Sequence, residues 1–369
     1  MKFKADKSSI ILGLFHPQKV SSNNSSINPI LSNIRIKAEE NNTINFQATD
    51  TSTSVLSRIK GEVYEPASII VSGKILYSLI SSFPDQDITF ELKDTQLILQ
   101  CEKSKFEINT MNDEDFPEIY IPENKLFSDF EPEIISQCID KTIFSVSKDE
   151  AKMHLTGIFY MCKKNIATAV STDGHRLSFA EFGYEGDFEI ENGIIIPENG
   201  AQEVKRLADE FTGEFKVAFI PEKKLFAVKT GVTTVTIKII DSKFPPYEQV
   251  IPKYESNNMV IPKNIFHDSL KRVSLLAESS ESGVIFNIKG DTLILEGTDT
   301  NKGTSHEEME VSYNGDPIQI AFNINFLQQI ISKINGSEFT MAFGGDKAAA
   351  LIKPIDNTSF MAVIMPLNI

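Results

Sequence analysis

Asp173, Gly174, His175 and Arg176 form the run of this sequence that reads most like chemistry. An aspartate two residues from a histidine can orient an imidazole for general-base work, provided a nucleophile lies in reach. No Gly-x-Ser-x-Gly elbow accompanies the pair. Phosphate chemistry lacks its usual signals too, since neither a Walker A loop nor a Gly-x-Gly-x-x-Gly fingerprint occurs. The three cysteines, Cys101, Cys138 and Cys162, are far apart, and the five histidines are scattered, none at ligand spacing from a cysteine. The expectation is therefore no metal, no cofactor, and reduced thiols in a cytoplasmic protein.

The aspartate has a second reading once the chain is scanned for repeats. Ala48-Thr49-Asp50, Ser171-Thr172-Asp173 and Gly297-Thr298-Asp299 recur at intervals of roughly 120 residues. Three copies of one catalytic aspartate make no chemical sense. Three turns in which Asp binds nearby backbone N–H groups do. The elements around these turns repeat as well. An amphipathic helix opens each unit, near Ser8–Val20, Pro132–Val146 and Lys263–Ala277, with apolar residues at about 3.6-residue spacing. Alternating strands then lead to the Thr-Asp turn. An apolar strand follows and feeds a second helix, expected over Gly73–Ser82, Ala201–Phe211 and Asn325–Ile334. Three further strands close each unit near Phe116-Pro117, Phe244-Pro245 and Met365-Pro366. The polar stretches Glu123–Lys125 and Lys253–Asn258 read as linkers. The expected organisation is α+β in three equivalent domains, 1–122, 128–253 and 258–369.

Composition bounds what such a chain can do. It is 41% apolar and 24% charged, an ordinary globular balance. With 26 Phe and no Trp, Phe, Ile and Leu must fill the cores. The longest apolar runs are too short to span a bilayer, so no membrane partner is expected. The net charge of −15 argues against indiscriminate nucleic-acid binding, which needs Lys and Arg at phosphates. It leaves room for a protein that gathers its 36 basic residues on one surface.

The local words are specific. Asn28-Pro29-Ile30-Leu31-Ser32-Asn33, Thr172-Asp173-Gly174-His175-Arg176-Leu177, Phe244-Pro245-Pro246-Tyr247 with Val250-Ile251-Pro252, and the terminal Met365-Pro366-Leu367 resemble the bacterial DNA polymerase III beta sliding clamps over the whole chain. The resemblance implies the clamp fold: three topologically equivalent domains per chain and a head-to-tail dimer forming a six-domain ring. It implies a non-enzymatic processivity factor. Its partners would be double-stranded DNA, read without sequence preference, the polymerase III catalytic subunit, the clamp loader, and other polymerases and repair proteins with Leu/Phe peptides. From the residues alone, a solenoid-like scaffold that never encircles DNA stays open as an alternative, since it would share the repeats and the peptide pocket.

Three sets of site residues follow from the resemblance. The peptide cleft would comprise Leu155, Thr172, Gly174, His175, Arg176, Leu177, Pro245, Val250, Asn323, Phe326, Ala348, Ala350, Val363, Ile364, Met365, Pro366 and Leu367. DNA-facing candidates on the repeated helices are Lys7, Lys19, Lys74, Lys141, Lys148, Lys152, Lys205, Arg206, Lys271 and Arg272. The dimer interface would pair Lys74 and Phe106 with Leu275 and Leu276. Departures from the family pattern also stand out. Gln249 and Asn368 occupy places where Arg is common, and the loop Ser21–Ser26 carries no positive charge.

Overall fold

The structure is a computed structural model of the 369-residue chain; it describes all residues except 23–27, 211–212, 255–256, 277–282, 300–302, 357 and 369. Most of the Ser21–Ser26 loop, the ends of two expected helices at Phe211 and Ala277, the middle of the second linker and the Asp299 side chain lie outside the described residues.

Three rounds of one element order account for the chain. Each round begins with a strand, Lys2–Asp6, Ser128–Asp129 or Asn258–Pro262. The six α-helices among the described residues then fall two to a round. They are α1 (Lys7–Ser22), α2 (Gly73–Ser82), α3 (Pro132–Thr142), α4 (Glu198–Asp209), α5 (Lys263–Ser274) and α6 (Ile324–Ser332). Three strands close each round and end at Asn109, Lys238 and Ile364. The expected α+β triplication is thus present.

Helix ends differ from the sequence reading for local reasons. The helix expected to reach Val146 stops at Thr142, where the Thr142 hydroxyl donates to the Cys138 carbonyl at 2.7 Å and a 3-10 turn follows. Helix α4 starts earlier than expected, at Glu198, directly after Pro197. Helix α5 ends at Ser274, so Leu275 and Leu276 leave the helix in a turn.

By contact the chain forms two compact units. The first comprises 1–136, 185–188 and 199–239, and the second 137–184, 189–198 and 240–369, so the middle repeat contributes to both.

In the first unit an eight-stranded antiparallel sheet runs from Ser128–Asp129 to Ala67–Val71. At its centre Thr233–Lys238, the last strand of the second repeat, pairs with Thr53–Lys60, the strand after the first Thr-Asp turn, Val235 opposite Val55. A five-stranded sheet ends at Ser104–Asn109. Helices sit close on these sheets. A Cβ on Gly13 of α1 would stand 2.8 Å from the Phe46 ring, and one on Gly200 of α4 would stand 2.7 Å from Ile237. Only glycine permits that approach.

The second unit repeats the arrangement. Its nine-stranded sheet joins Phe360–Ile364, the last strand of the third repeat, to Arg176–Gly183, the strand after the second Thr-Asp turn. Its four-stranded sheet ends at Gly303–Glu310. The core here is aromatic, as the Phe-rich, Trp-free composition requires. Phe266, Phe286, Phe322 and Phe339 are fully buried, and the first three meet in successive edge-to-face contacts at 5.8 and 5.3 Å. Each such ring contributes about 2–3 kcal/mol by burial.

Candidate functional site

The Thr172–Leu177 turn is built by Asp173. One carboxylate oxygen accepts the backbone N–H of His175 at 2.9 Å and of Arg176 at 3.0 Å. Asp50 repeats the pattern in the first unit, accepting from Ser52 at 3.0 Å and Thr53 at 2.6 Å. The aspartate is a turn former, not a base poised on His175. Gly174 completes the turn at φ +93°, where a side chain would be strained. His175 is left exposed at its tip.

Arg176 points inward. It is only 8% exposed, and its guanidinium lies 4.1 Å from the Phe326 ring centroid and 5.4 Å from that of Phe144. It bonds Asp173 at 3.0 Å and donates to Gln329 and to the Phe144 carbonyl. Burial pulls its pKa down, and Asp173 opposes that shift. Arg176 therefore fastens the turn to α6.

The chain after Phe360–Ile364 is pinned beside this turn. Met365 N donates to the His175 carbonyl and Leu367 N to the Ala321 carbonyl, both at 2.8 Å. Gly174, His175, Met365, Pro366 and Leu367 thereby line one cleft of about 1100 Å³. Leu155, Leu177 and Val363 are buried in a single apolar cluster with Phe179, Phe244 and Leu351. Val250 (56% exposed) and the half-buried Pro245 lie on the nearby Phe244–Ile251 stretch, whose Phe244 and Ile251 join that cluster.

Other expected cleft residues do different work. Ile364 and Ala350 are fully buried in the opposite, third-repeat core, because alternation along their strands turns them away from Val363 and Leu351. Asn323 caps α6, accepting from Asn325 and Phe326 N–H at 3.0 and 3.2 Å. Phe326 lies under the Arg176 guanidinium, and the Thr172 hydroxyl donates to the Arg176 carbonyl at 2.6 Å. Ala348 is half-buried on the 345–349 loop. The structure adds Asn257, Tyr313, Asp316, Pro317, Ile318, Gln319, Gly345, Asp346 and Lys347 to the lining. Most of these come from loops, while Tyr313, Ile318 and Gln319 stand on strands, and no pattern in the sequence ties them to the cleft.

The basic candidates divide by partner. Lys7 caps α2, donating to the carbonyls of Ser81 at 3.1 Å and Phe83 at 2.5 Å. Lys141 is half-buried against the carbonyl of Lys333 near the end of α6, and burial lowers its pKa. Both are held by carbonyls at helix ends. Lys148 meets Glu198 at 2.5 Å, Lys205 meets Asp209 at 2.6 Å, and Lys152 stands 4.0 Å from Asp149. Arg206 bonds the buried Glu203, and Arg272 makes a two-pronged bridge to Glu307 at 2.7 Å. Lys19 is exposed beside the Phe15 ring. Lys74 and Lys271 are exposed with no ion pair among the described residues.

Family models for the N-terminal, central and C-terminal domains of the DNA polymerase III beta subunit match residues 1–120, 129–246 and 248–368. This chain belongs to the DNA polymerase III beta subunit family. The beta sliding clamp of Caulobacter vibrioides is 27% identical, with both chains covered in full, and that of Vibrio cholerae is 26% identical over the same extent. Among solved structures, the Caulobacter crescentus beta sliding clamp is 26% identical with a TM-score of 0.88, covering 100% of this chain and 99% of that one. The beta subunit of Thermotoga maritima shares the fold, with a TM-score of 0.92 at 24% identity and coverage of 100% and 99%. The chain is accordingly a DNA sliding clamp, a scaffold for replication and not an enzyme, and the Asp173–His175 pair has no catalytic part.

The clamp's expected contact residues for a second copy are all accessible. Phe106 is 42% exposed on the edge strand Ser104–Asn109, its ring 5.4 Å from that of Phe83. Leu275 is 72% exposed, Leu276 half-buried, and Lys74 exposed.

Proposed function

We propose that two copies of this clamp join head to tail into a six-domain ring around duplex DNA, with repeats bounded near 1–122, 128–253 and 258–369. One observation carries this reading. Within the chain, the last strand of a repeat twice pairs with the strand that follows the Thr-Asp turn of the repeat before it. That leaves one strand of each kind without such a partner. Ser104–Asn109, the last strand of the first repeat, is a sheet edge and almost wholly exposed, whereas its counterpart Thr233–Lys238 is buried for five of six residues. Gly303–Glu310, which follows the third turn, is likewise a mostly exposed edge, whereas Arg176–Gly183 is largely buried. Open edges of this kind pair with another chain. Joining each to its complement in a second copy would repeat the same seam twice and close the structure. Sedimentation at low micromolar concentration should show a dimer, and a monomer under all conditions would overturn the ring.

DNA would be held by enclosure, with exposed cations exchanging acid partners for phosphates. Surface pairs are weak and screened by solvent, so bridges such as Lys148–Glu198 and Arg272–Glu307 open readily. The cleft beside His175 and Met365 would take Leu/Phe peptides of the polymerase III catalytic subunit, the clamp loader and repair proteins, all in the cytoplasm. The apolar side chains in its lining, Ile318, Met365, Pro366 and Leu367, support this: burial of one or two anchors dominates such binding. Among the described residues no helix is long and apolar enough to cross a membrane.

A further inference from the structure

We propose that the cleft selects docking peptides carrying a basic residue beside their apolar anchors and discriminates against acidic ones. This rests on the docking reading above and adds the sign of the partner's charge. The charged side chains lining the cleft are Asp316, Asp346 and Lys347, two acids against one base. Both carboxylates are exposed, and neither has an ion pair or a side-chain hydrogen bond among the described residues. The strongest nearby cation, Arg176, is removed from the account, being buried and bonded to Asp173 at 3.0 Å. Asn368, which also lines the cleft, is neutral and exposed. A peptide acid entering here meets an excess of carboxylate, while a peptide Lys or Arg finds two acceptors already in place. The chain's net charge of −15 acts in the same direction. The apolar groups in the same cleft, Ile318, Met365, Pro366 and Leu367, supply affinity to either peptide, so charge decides between them.

The test uses the intact chain and three labelled peptides that share Leu and Phe anchors and differ at one intervening residue, Lys, Ser or Asp. Fluorescence polarisation reads the affinity of each peptide. The Lys peptide should bind roughly three- to tenfold tighter than the Asp peptide, with Ser between, as expected for solvent-screened pairs. The gap should shrink in high salt, and the double variant Asp316→Asn, Asp346→Asn should abolish the ranking. An Asp peptide that binds as tightly as the Ser peptide would overturn the charge preference while leaving docking intact. A ranking that survives in the double variant would overturn the assignment to these two carboxylates. Failure of all three peptides to bind the folded chain would overturn the docking reading and the preference with it.

Discussion

Arg176 holds the cleft together from inside. Its guanidinium is stacked between Phe326 and Phe144 and bonded to Asp173, so truncation leaves a carboxylate only 15% exposed without its cation. Removing one partner of such a pair costs about 3–5 kcal/mol. Arg176→Ala should therefore lower the thermal midpoint by several degrees in a melting experiment and weaken peptide binding as a consequence. The residues that meet a peptide behave differently. Met365 is 47% exposed at the cleft mouth, so Met365→Ala should cost roughly tenfold in peptide affinity with little change in melting temperature. Gln249→Ala should be nearly silent in the same titration; a larger loss there than at Met365 would reverse the assignment of anchor and rim. The Thr172–Leu177 turn and the terminal Met365–Leu367 were readable from sequence, because turn chemistry and the family words are local. Arg176's inward direction was not, since it depends on aromatic rings contributed by Phe144 and Phe326, far apart in the chain. Nor was the parity of Ile364 and Ala350. Their strands are buried on both faces, and such strands carry no alternation in the sequence to mark which face is which.

Among elements, the edge strands matter most. Nothing in the residues of Ser104–Asn109 or Gly303–Glu310 announces a free edge, because the alternating pattern reports faces of a sheet and not its hydrogen-bonded neighbours. Only the sheet order shows that these two strands lack the partner their counterparts have. The early stop of α5 also changes the meaning of Leu275 and Leu276. As a turn after the helix they are freed from packing on the third-repeat core, and Leu275 becomes 72% exposed. The double substitution Leu275→Ala, Leu276→Ala should leave folding intact and shift the chain to monomer at nanomolar concentration, as read by sedimentation velocity. An unchanged dimer would place the interface elsewhere. Helix order, by contrast, was legible, since a periodicity of 3.6 writes itself into each repeat, whereas the short strand that opens each round before its first helix was not read.

At the scale of the molecule, a net charge of −15 opposes DNA binding by overall charge, so the ring reading rests on enclosure. Most of its candidate cations are tied to acids or to helix carbonyls; the sequence could not show the partners that are distant along the chain, as Glu198 is from Lys148 and Glu307 from Arg272. Simple electrostatic affinity for linear duplex should be weak and steeply lost with salt. Enclosure is independent of both. The most direct test is retention on nicked circular DNA after loading by a clamp loader and ATP, followed by cutting of the circle. The ring account predicts a clamp that stays on intact circles through a high-salt wash and leaves once the circle is opened. Retention on the cut DNA, or loss from intact circles in step with salt, would contradict it and return the chain to the class of open scaffolds.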